Sequence, residues 1–538
     1  MVFARRSTTL LAAIIASCAM VLSLTACTSD NKTVVDGQTT VTSNSAGGVA
    51  VFTPSDGITL NQQMPLNKWA KLVPDLTKAL VDAGFKKGDI NHTTSDSLDK
   101  QSRAIQDFVV DHLSNNTTDD SGIAIAPDNM TLLVAPVVEA DASTRQYGDY
   151  VSQNLSTNDV TDEGATSDGE SSEDDSSNTE SDSTASDEQA QAVDRLVSSL
   201  KLAKESGMHV VLLGNSIEGY KPDAFVKFSD AQTIGKLQAE KMVSKLKLDK
   251  ASKDNPKYIE VLLPYTAMDE KGNANDSTFA QEAFRGIWQV LGSYYQKGVV
   301  ESPSGTLDGK STENDWQAVA YDAAKEGSTA KVLDKRLAKT DGQSTLTRID
   351  GIITMNDYIA SEVVKELDDL GYTGSAADIN PQITISGIVG NITGKKDLSR
   401  DAVPDPIKSP ENDNANDSSS SDDDADEDTS ASDKDRDSQW PLVTGYGAYV
   451  SNIPSIVNGK QWMTGMEDRQ TIATDIAQAC VKLNKDEALN SMPSIRNSEV
   501  GGVKKIPTIS EPLLAVSASN LKSALIDPGY ISLADAGL

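Results

Sequence analysis

The sequence predicts an α/β protein made of two βαβ domains in series. Three observations carry this. Short, near-continuous apolar runs recur along the chain. Amphipathic stretches of helical period separate them. Strands buried on both faces and linked by helices form parallel sheets covered on both sides. Without its N-terminal segment and two acidic stretches, about 430 residues remain, which suits two domains better than one.

The elements follow in order. Val49-Ala50-Val51-Phe52-Thr53 is a β-branched run. From Asn67 to Gly84, Leu72, Val73, Leu76, Leu80 and Val81 keep helical spacing and Phe85 continues it. A second helix is expected over Arg103 to His112, and a buried strand over Thr131 to Val137. A helix over Gln189 to Ser206 ends at Gly207, and His209-Val210-Val211-Leu212-Leu213 reads as another buried strand. The alternation then repeats. Strands are expected at Phe225–Phe228, Tyr258–Leu263 and Gly351–Met355, and helices at Ala231–Leu246, Ser277–Lys297 and Asp357–Leu370. In open α/β sheets ligands sit at the carboxyl ends of the strands. Here those ends read Pro54-Ser55-Asp56, Gly214-Asn215-Ser216, Pro264-Tyr265-Thr266 and Asn356-Asp357, small or polar residues suited to a polar ligand.

Charge is unevenly spread over the 538 residues. Of the net −32, residues 159–188 carry −12 and residues 411–437 carry −10. Both stretches are rich in Ser and Asn and poor in large apolar residues, so they bury too little surface to offset the entropy of ordering. They are expected to be disordered inserts at 157–188 and 405–438. The carboxylate run from Asp422 to Asp428 lacks the Gly and spaced ligands of a calcium loop. The acidity also argues against nucleic acid as a partner.

The N-terminus reads as a signal. Arg5 and Arg6 precede an apolar stretch from Leu10 to Leu24 of about 15 residues. A membrane-spanning helix needs roughly 20, so this is a signal-peptide core rather than a permanent anchor. Leu24-Thr25-Ala26-Cys27 then resembles the lipobox of bacterial lipoproteins, which implies cleavage before Cys27 and a lipid on its sulfur. The competing reading is an ordinary secretory signal with an incidental Cys. Residues 27–47 are polar and form a flexible tether. Cys18 leaves with the signal, and Cys480, alone in a helical pattern, reads as a buried small hydrophobe.

Several stretches resemble one family together. Asn67-Lys68-Trp69 to Gly84-Phe85 looks like a first helix that begins Arg-Trp and ends in a Gly-Tyr turn. Phe228-Ser229-Asp230-Ala231 looks like a crossover into a second lobe, and Asn356-Asp357 like an Asn-Asp segment. Val443-Thr444-Gly445-Tyr446-Gly447-Ala448, followed by Ser455-Ile456-Val457-Asn458-Gly459-Lys460-Gln461, keeps the spacing of the C-terminal part. The family is the type I periplasmic binding proteins, and within it the xylose-binding and multiple-sugar-binding proteins of ABC transporters. The resemblance covers most of residues 48–538. It implies two Rossmann-like lobes with parallel sheets, joined by three crossing segments, that close on a solute.

The departures bear on the ligand. Lys68 stands where the family has Arg, Gly214-Asn215 where it has Asp-Arg, Tyr446-Gly447 where it has Gln-Asp, and Glu467 where it has Lys. Trp316 lies near, but shifted from, a Trp of the second lobe. Asn356 is unaltered and Asn275 is a second match. A charge-assisted hydrogen bond is worth roughly 1.5–3 kcal/mol, so losing two or three would abolish tight binding unless others replace them. The residues expected to line the cleft are Ser55, Asp56, Lys68, Trp69, Asn215, Asn275, Asn356 and Tyr446.

Enzymatic chemistry finds no support. The three His are His92, His112 and His209; His112 and His209 read as structural. No Gly-x-Ser-x-Gly, His-Glu-x-x-His or phosphate-binding Gly loop occurs. The stretch Asp269 to Asp276 is read as a polar loop capping a helix. The expectation is a non-enzymatic, monomeric lipoprotein without cofactor or metal, on the extracytoplasmic face of the cell membrane. Its expected partners are a small polar solute, a carbohydrate foremost, an ABC permease, and the lipid bilayer through Cys27. The alternative is a non-transport surface sensor or interaction lipoprotein of the same fold with a remodelled cleft. The expected layout is a signal at 1–26, an N-terminal lobe of 48–228 plus about 447–466, and a C-terminal lobe of 229–446 plus about 467–538.

Overall fold

The computed structural model describes residues 46–55, 65–115, 125–138, 144–150, 153–156, 180–268, 275–338, 345–376 and 438–538. Cys27, residues 27–45 of the expected tether, Asp56, and the acidic stretches 157–179 and 405–437 lie outside the described residues; Ala46 and Gly47, expected to end the tether, are buried against the first lobe.

The first lobe holds strands β1 (Gly48–Pro54), β2 (Ile90–Ser95), β3 (Met130–Val134), β4 (Asn154–Leu155), β5 (His209–Leu213), β6 (Ser216–Ile217) and β7 (Ala224–Lys227). Its helices are α1 (Trp69–Asp82), α2 (Leu98–Asn115) and α3 (Glu180–Glu205). The second lobe holds β8 (Lys257–Val261), β9 (Leu263–Pro264), β10 (Val300–Glu301), β11 (Ala320–Tyr321), β12 (Gly351–Ile353), β13 (Leu442–Tyr446) and β14 (Met463–Met466). With them go α4 (Ala231–Leu246), α5 (Thr278–Gln296), α6 (Trp316–Val319), α7 (Ser328–Arg336) and α8 (Asp357–Leu370). The chain then returns to the first lobe with the helix Arg469–Leu483, β15 (Ile495–Val500) and β16 (Val503–Ser510), and ends in the second with β17 (Leu514–Ser517).

The first sheet runs β15-β16-β7-β5-β3-β1-β2 and the second β10-β8-β12-β13-β14-β17. Pairing is parallel except where β15 meets β16 and β14 meets β17. The consecutive parallel strands, six in the first sheet and five in the second, follow a doubly wound order (2-1-3-4-5-6 and 2-1-3-4-5), which places a switch point between β1 and β3 and another between β8 and β12. Side-chain alternation explains the layers. Val49 and Val51 of β1 pack with Leu72, Leu76 and Leu80 of α1 and Ile472 and Ile476 of the Arg469–Leu483 helix. Ala50 and Phe52 point the other way, onto Ile105 and Val109 of α2 and Leu196 and Leu200 of α3. In the second lobe α4 and α5 cross at two glycines. A Cβ on Gly235 would lie 2.2 Å from the Ala283 carbonyl oxygen, and one on Gly286 would lie 2.0 Å from that of Gln232. No other residue permits that approach.

Three segments cross between the lobes: β7 into α4, β14 into the Arg469–Leu483 helix, and β16 into β17. This corrects the expected C-terminal layout. Residues 463–466 belong to the second lobe, because β14 pairs with β13, Thr444 opposite Met463. Residues 469–510 belong to the first, because the Arg469–Leu483 helix completes the apolar face of α1 and β16 pairs with β7. A second correction concerns the first acidic insert. Helix α3 starts at Glu180, so residues 180–188 are helical. Among the described residues no helix is long and apolar enough to cross a membrane.

Candidate functional site

Carboxyl ends of strands from both sheets converge on residues 144–150. From the first lobe, Lys68 precedes α1 and its Nζ donates to Oδ1 of Asp149 at 2.6 Å. The backbone N–H of Trp69 donates to Oδ2 of the same carboxylate at 3.0 Å. The Asp149 N–H donates back to the Asn67 carbonyl at 2.8 Å. The Trp69 ring, 3% exposed, meets Tyr150 and Phe228 edge-on at centroid distances of 5.1 and 5.7 Å, while Tyr150 stacks on Phe228 at 4.7 Å. The Tyr150 hydroxyl donates to the Lys68 carbonyl. Gly148 makes the close passage possible. It sits at φ +95°, and a Cβ there would lie 2.5 Å from the Asn67 carbonyl oxygen.

From the second lobe, the Asn356 Oδ1 accepts from the Ile359 N–H at 2.9 Å and so caps α8. Its Nδ2 donates to Oε1 of Gln146 at 3.1 Å. The Tyr449 hydroxyl donates to the Gln146 carbonyl at 2.7 Å. Tyr147 is buried in the second lobe's core, its ring 4.6 Å from Phe279 and 6.3 Å from Tyr446. A few residues on, the Gln153 N–H donates to Oδ1 of Asn215 at 3.0 Å, and Asn215 Nδ2 donates to the Pro136 carbonyl at 2.9 Å. Lysine and amide groups beside aromatic faces suit a hydroxylated solute. Here the chain's own Gln146, Asp149, Tyr150 and Gln153 occupy them.

Beside this cluster two of the crossing segments are bonded to each other. Glu467, in the second crossing segment, is fully buried; its Oε1 accepts from the Ser229 N–H at 2.7 Å, from the Ser229 hydroxyl, and from the Tyr446 hydroxyl at 3.2 Å. Ser229 is in the first crossing segment, so one carboxylate ties two crossings together. Burial pushes the Glu467 carboxyl above its ordinary range, against the lowering effect of the Ser229 hydrogen bonds. Burial also raises the Tyr446 phenol well above its usual value.

The structure therefore gathers Lys68, Trp69 and Asn356 around one segment, with Asn215 beside Gln153. Tyr446 is fully buried, as Asn356 is, and its hydroxyl bonds Ser229 and Glu467. Ser55 is exposed at the end of β1, where its N–H bonds the Ser95 carbonyl at 2.8 Å. Asn275 ties its own loop down, donating to the Thr266 carbonyl at 2.8 Å. Nearby, Tyr265 and Trp316 pack edge-on at 5.1 Å. Sequence reasoning missed Gln146, Asp149, Tyr150 and Tyr449. One signal was present: Tyr147-Gly148-Asp149-Tyr150 sets two aromatic rings and an acid around a glycine just ahead of the first acidic insert.

The two doubly wound sheets with three crossings are the two Rossmann-like lobes and three crossing segments that the sequence resemblance implies. No protein-family model matches the chain, and no curated protein matches it. Solved structures similar to it include an ABC transporter solute-binding protein from Clostridium phytofermentans with bound β-D-glucose, at 17% identity over 91% of this chain and 99% of that one, TM-score 0.44. A carbohydrate transporter solute-binding protein from Chloroflexus aurantiacus in complex with D-glucose shows 17% identity over 91% and 98%, TM-score 0.44. An arabinose-binding protein from Geobacillus stearothermophilus shows 9% identity over 89% and 99%, TM-score 0.41.

Proposed function

We propose that the chain is an extracytoplasmic substrate-binding lipoprotein of an ABC importer that captures a small polar solute, a carbohydrate foremost, between its two lobes. The observation that carries this is the convergence of strand ends from both switch points on one place framed by the three crossings. Lys68, Trp69, Asn215 and Asn356 are the residues proposed to meet the solute. Asp56, Ser55 and Asn275 belong to loops proposed to rim the site, and Tyr446 is proposed to act through the crossing segments that hold Ser229 and Glu467. A lipid on Cys27 is proposed to hold the protein near its permease. No catalytic step is assigned.

The engagement of Lys68, Asn215 and Asn356 by the chain's own residues favours a second reading, a non-transport surface lipoprotein of the same fold with a remodelled cleft. Thermal shift against D-glucose, D-xylose, L-arabinose and short oligosaccharides separates the two. A solute at ~100 times its dissociation constant adds about 2.7 kcal/mol of stability. A shift with one of these supports import, and no shift with any of them removes the carbohydrate reading. For the anchor, Cys27→Ala is expected to release the protein from membranes; retention would refute the lipid.

A further inference from the structure

We propose that residues 144–150 are an internal stand-in for the solute, a strap that holds the lobes closed and that solute must displace. The inference rests on the reading of the cleft as a solute site. Three features of the geometry point to it. First, the segment's partners are the groups proposed to meet solute: Lys68 Nζ, the Trp69 N–H and Asn356 Nδ2. Second, its contacts are divided between the lobes. Asp149 and Tyr150 are held by the first lobe, through Asn67, Lys68, Trp69 and Phe228. Gln146 and Tyr147 are held by the second, through Asn356, Tyr449 and Phe279. A segment bonded to both lobes resists their separation, as a bound solute would. Third, its chemistry is that of a ligand: a carboxylate beside an ammonium, a carboxamide against an amide, and a tyrosine ring on a tryptophan.

An ordinary surface loop would bond mainly to the lobe that carries it. Here a glycine with a positive φ threads the segment past Asn67, with Tyr147 turned into the second lobe and Tyr150 into the first. The hydrogen bonds are individually modest and partly exposed, Lys68 and Asp149 side chains each being 18% accessible. Such a strap can be displaced. It lowers apparent affinity by the fraction of molecules left open.

The test uses the full mature protein. Spin labels at the exposed positions Gln106→Cys on α2 and Lys365→Cys on α8 report the inter-lobe distance, Cys480 being buried. Without solute, the otherwise unchanged protein is expected to give one short distance. The Gln146→Ala/Asp149→Ala variant is expected to shift to longer ones. Tyr449→Phe, which removes a bond to the Gln146 carbonyl without altering the segment, is expected to shift part of the way and serves if the double variant fails to fold. Identical distance distributions in all three proteins would overturn the proposal. In parallel, calorimetry with D-glucose, D-xylose and L-arabinose is expected to show binding about tenfold tighter in the double variant, if the strap leaves roughly a tenth of molecules open. Unchanged affinity for a sugar that does bind would also overturn it. Opening without binding of any of these sugars would uphold the strap and remove the carbohydrate reading instead.

Discussion

Replacing Glu467 by leucine is expected to destabilise the protein by about 4 kcal/mol. Its Oε1 is the shared acceptor of the Ser229 N–H, the Ser229 hydroxyl and the Tyr446 hydroxyl. All three residues are buried. A buried donor stripped of its acceptor costs roughly 1–3 kcal/mol. The Glu467→Leu variant would leave the Ser229 N–H without this partner, and the two hydroxyls could only turn to each other, as Ser229 Oγ and Tyr446 Oη already lie 2.6 Å apart. The Glu467→Gln variant keeps an acceptor oxygen and is expected to cost no more than about 1 kcal/mol. It also removes the penalty of a buried carboxylate, whose protonation is favoured by desolvation. The midpoint of urea unfolding, followed by tryptophan fluorescence, reads both variants. A leucine variant within about 1 kcal/mol of the parent would show that the carboxylate does not tie the crossings.

Raising the pH from about 4 to 6 is expected to remove about 2 kcal/mol of stability through Asp357 alone. This carboxylate begins α8 next to Asn356 and is fully buried. Its Oδ1 accepts from Gln461 Nε2 at 2.7 Å; its Oδ2 accepts from the Tyr449 N–H at 2.9 Å and the Thr464 hydroxyl at 2.8 Å. Those bonds favour the charged form, but desolvation outweighs them and pushes the carboxyl from 3.8 to about 6. The sign follows from linkage. The folded value lies above the unfolded one, so over this window the native state holds more protons than the unfolded state. Stability therefore falls as pH rises through it and flattens above. The whole displacement corresponds to roughly 3 kcal/mol, of which about two-thirds falls between pH 4 and 6. Asp357→Asn cannot titrate, and its pH profile should be flatter than the parent's by about 2 kcal/mol across that window. Parallel profiles would place the titration elsewhere.

Much of the fold was legible in the sequence because local signals agreed with tertiary packing. Helices α4 and α8 run over the residues that periodicity predicts. Each has a side-chain cap, Asp230 bonding the Thr233 N–H and Asn356 the Ile359 N–H. Strand β5 has its expected bounds as a continuous apolar run. Strand β2 was missed: Asn91, His92, Thr93 and Thr94 are exposed at the sheet's edge and carry no apolar pattern. The C-terminal crossings were exchanged because a strand's composition does not say which of two similar sheets it joins. That choice is made by pairings such as Thr508 with Phe225 and Thr464 with Val516.

The candidate site was legible only on the side the resemblance covers. Lys68, Trp69 and Asn356 were found through their positions after strands. What they touch was not found, since Gln146 and Asn356 are 210 residues apart in the chain. A contact of that kind leaves no periodicity. The departures at Gly214 and Glu467 instead have structural reasons. Gly214 sits at φ +71°, the left-handed region that favours glycine, and Glu467 accepts bonds from both Ser229 and Tyr446 between crossing segments.

Amide hydrogen exchange over residues 144–150, with and without a solute that stabilises the protein, tests most directly whether solute and segment share one site. In the solute-free protein the Tyr147 N–H is bonded to the Thr144 carbonyl at 2.9 Å and the Asp149 N–H to the Asn67 carbonyl at 2.8 Å, and both should exchange slowly. Saturating solute should speed their exchange while slowing that of the flanking strand ends. A solute that binds and leaves both amides as protected as before would place its site elsewhere in the molecule.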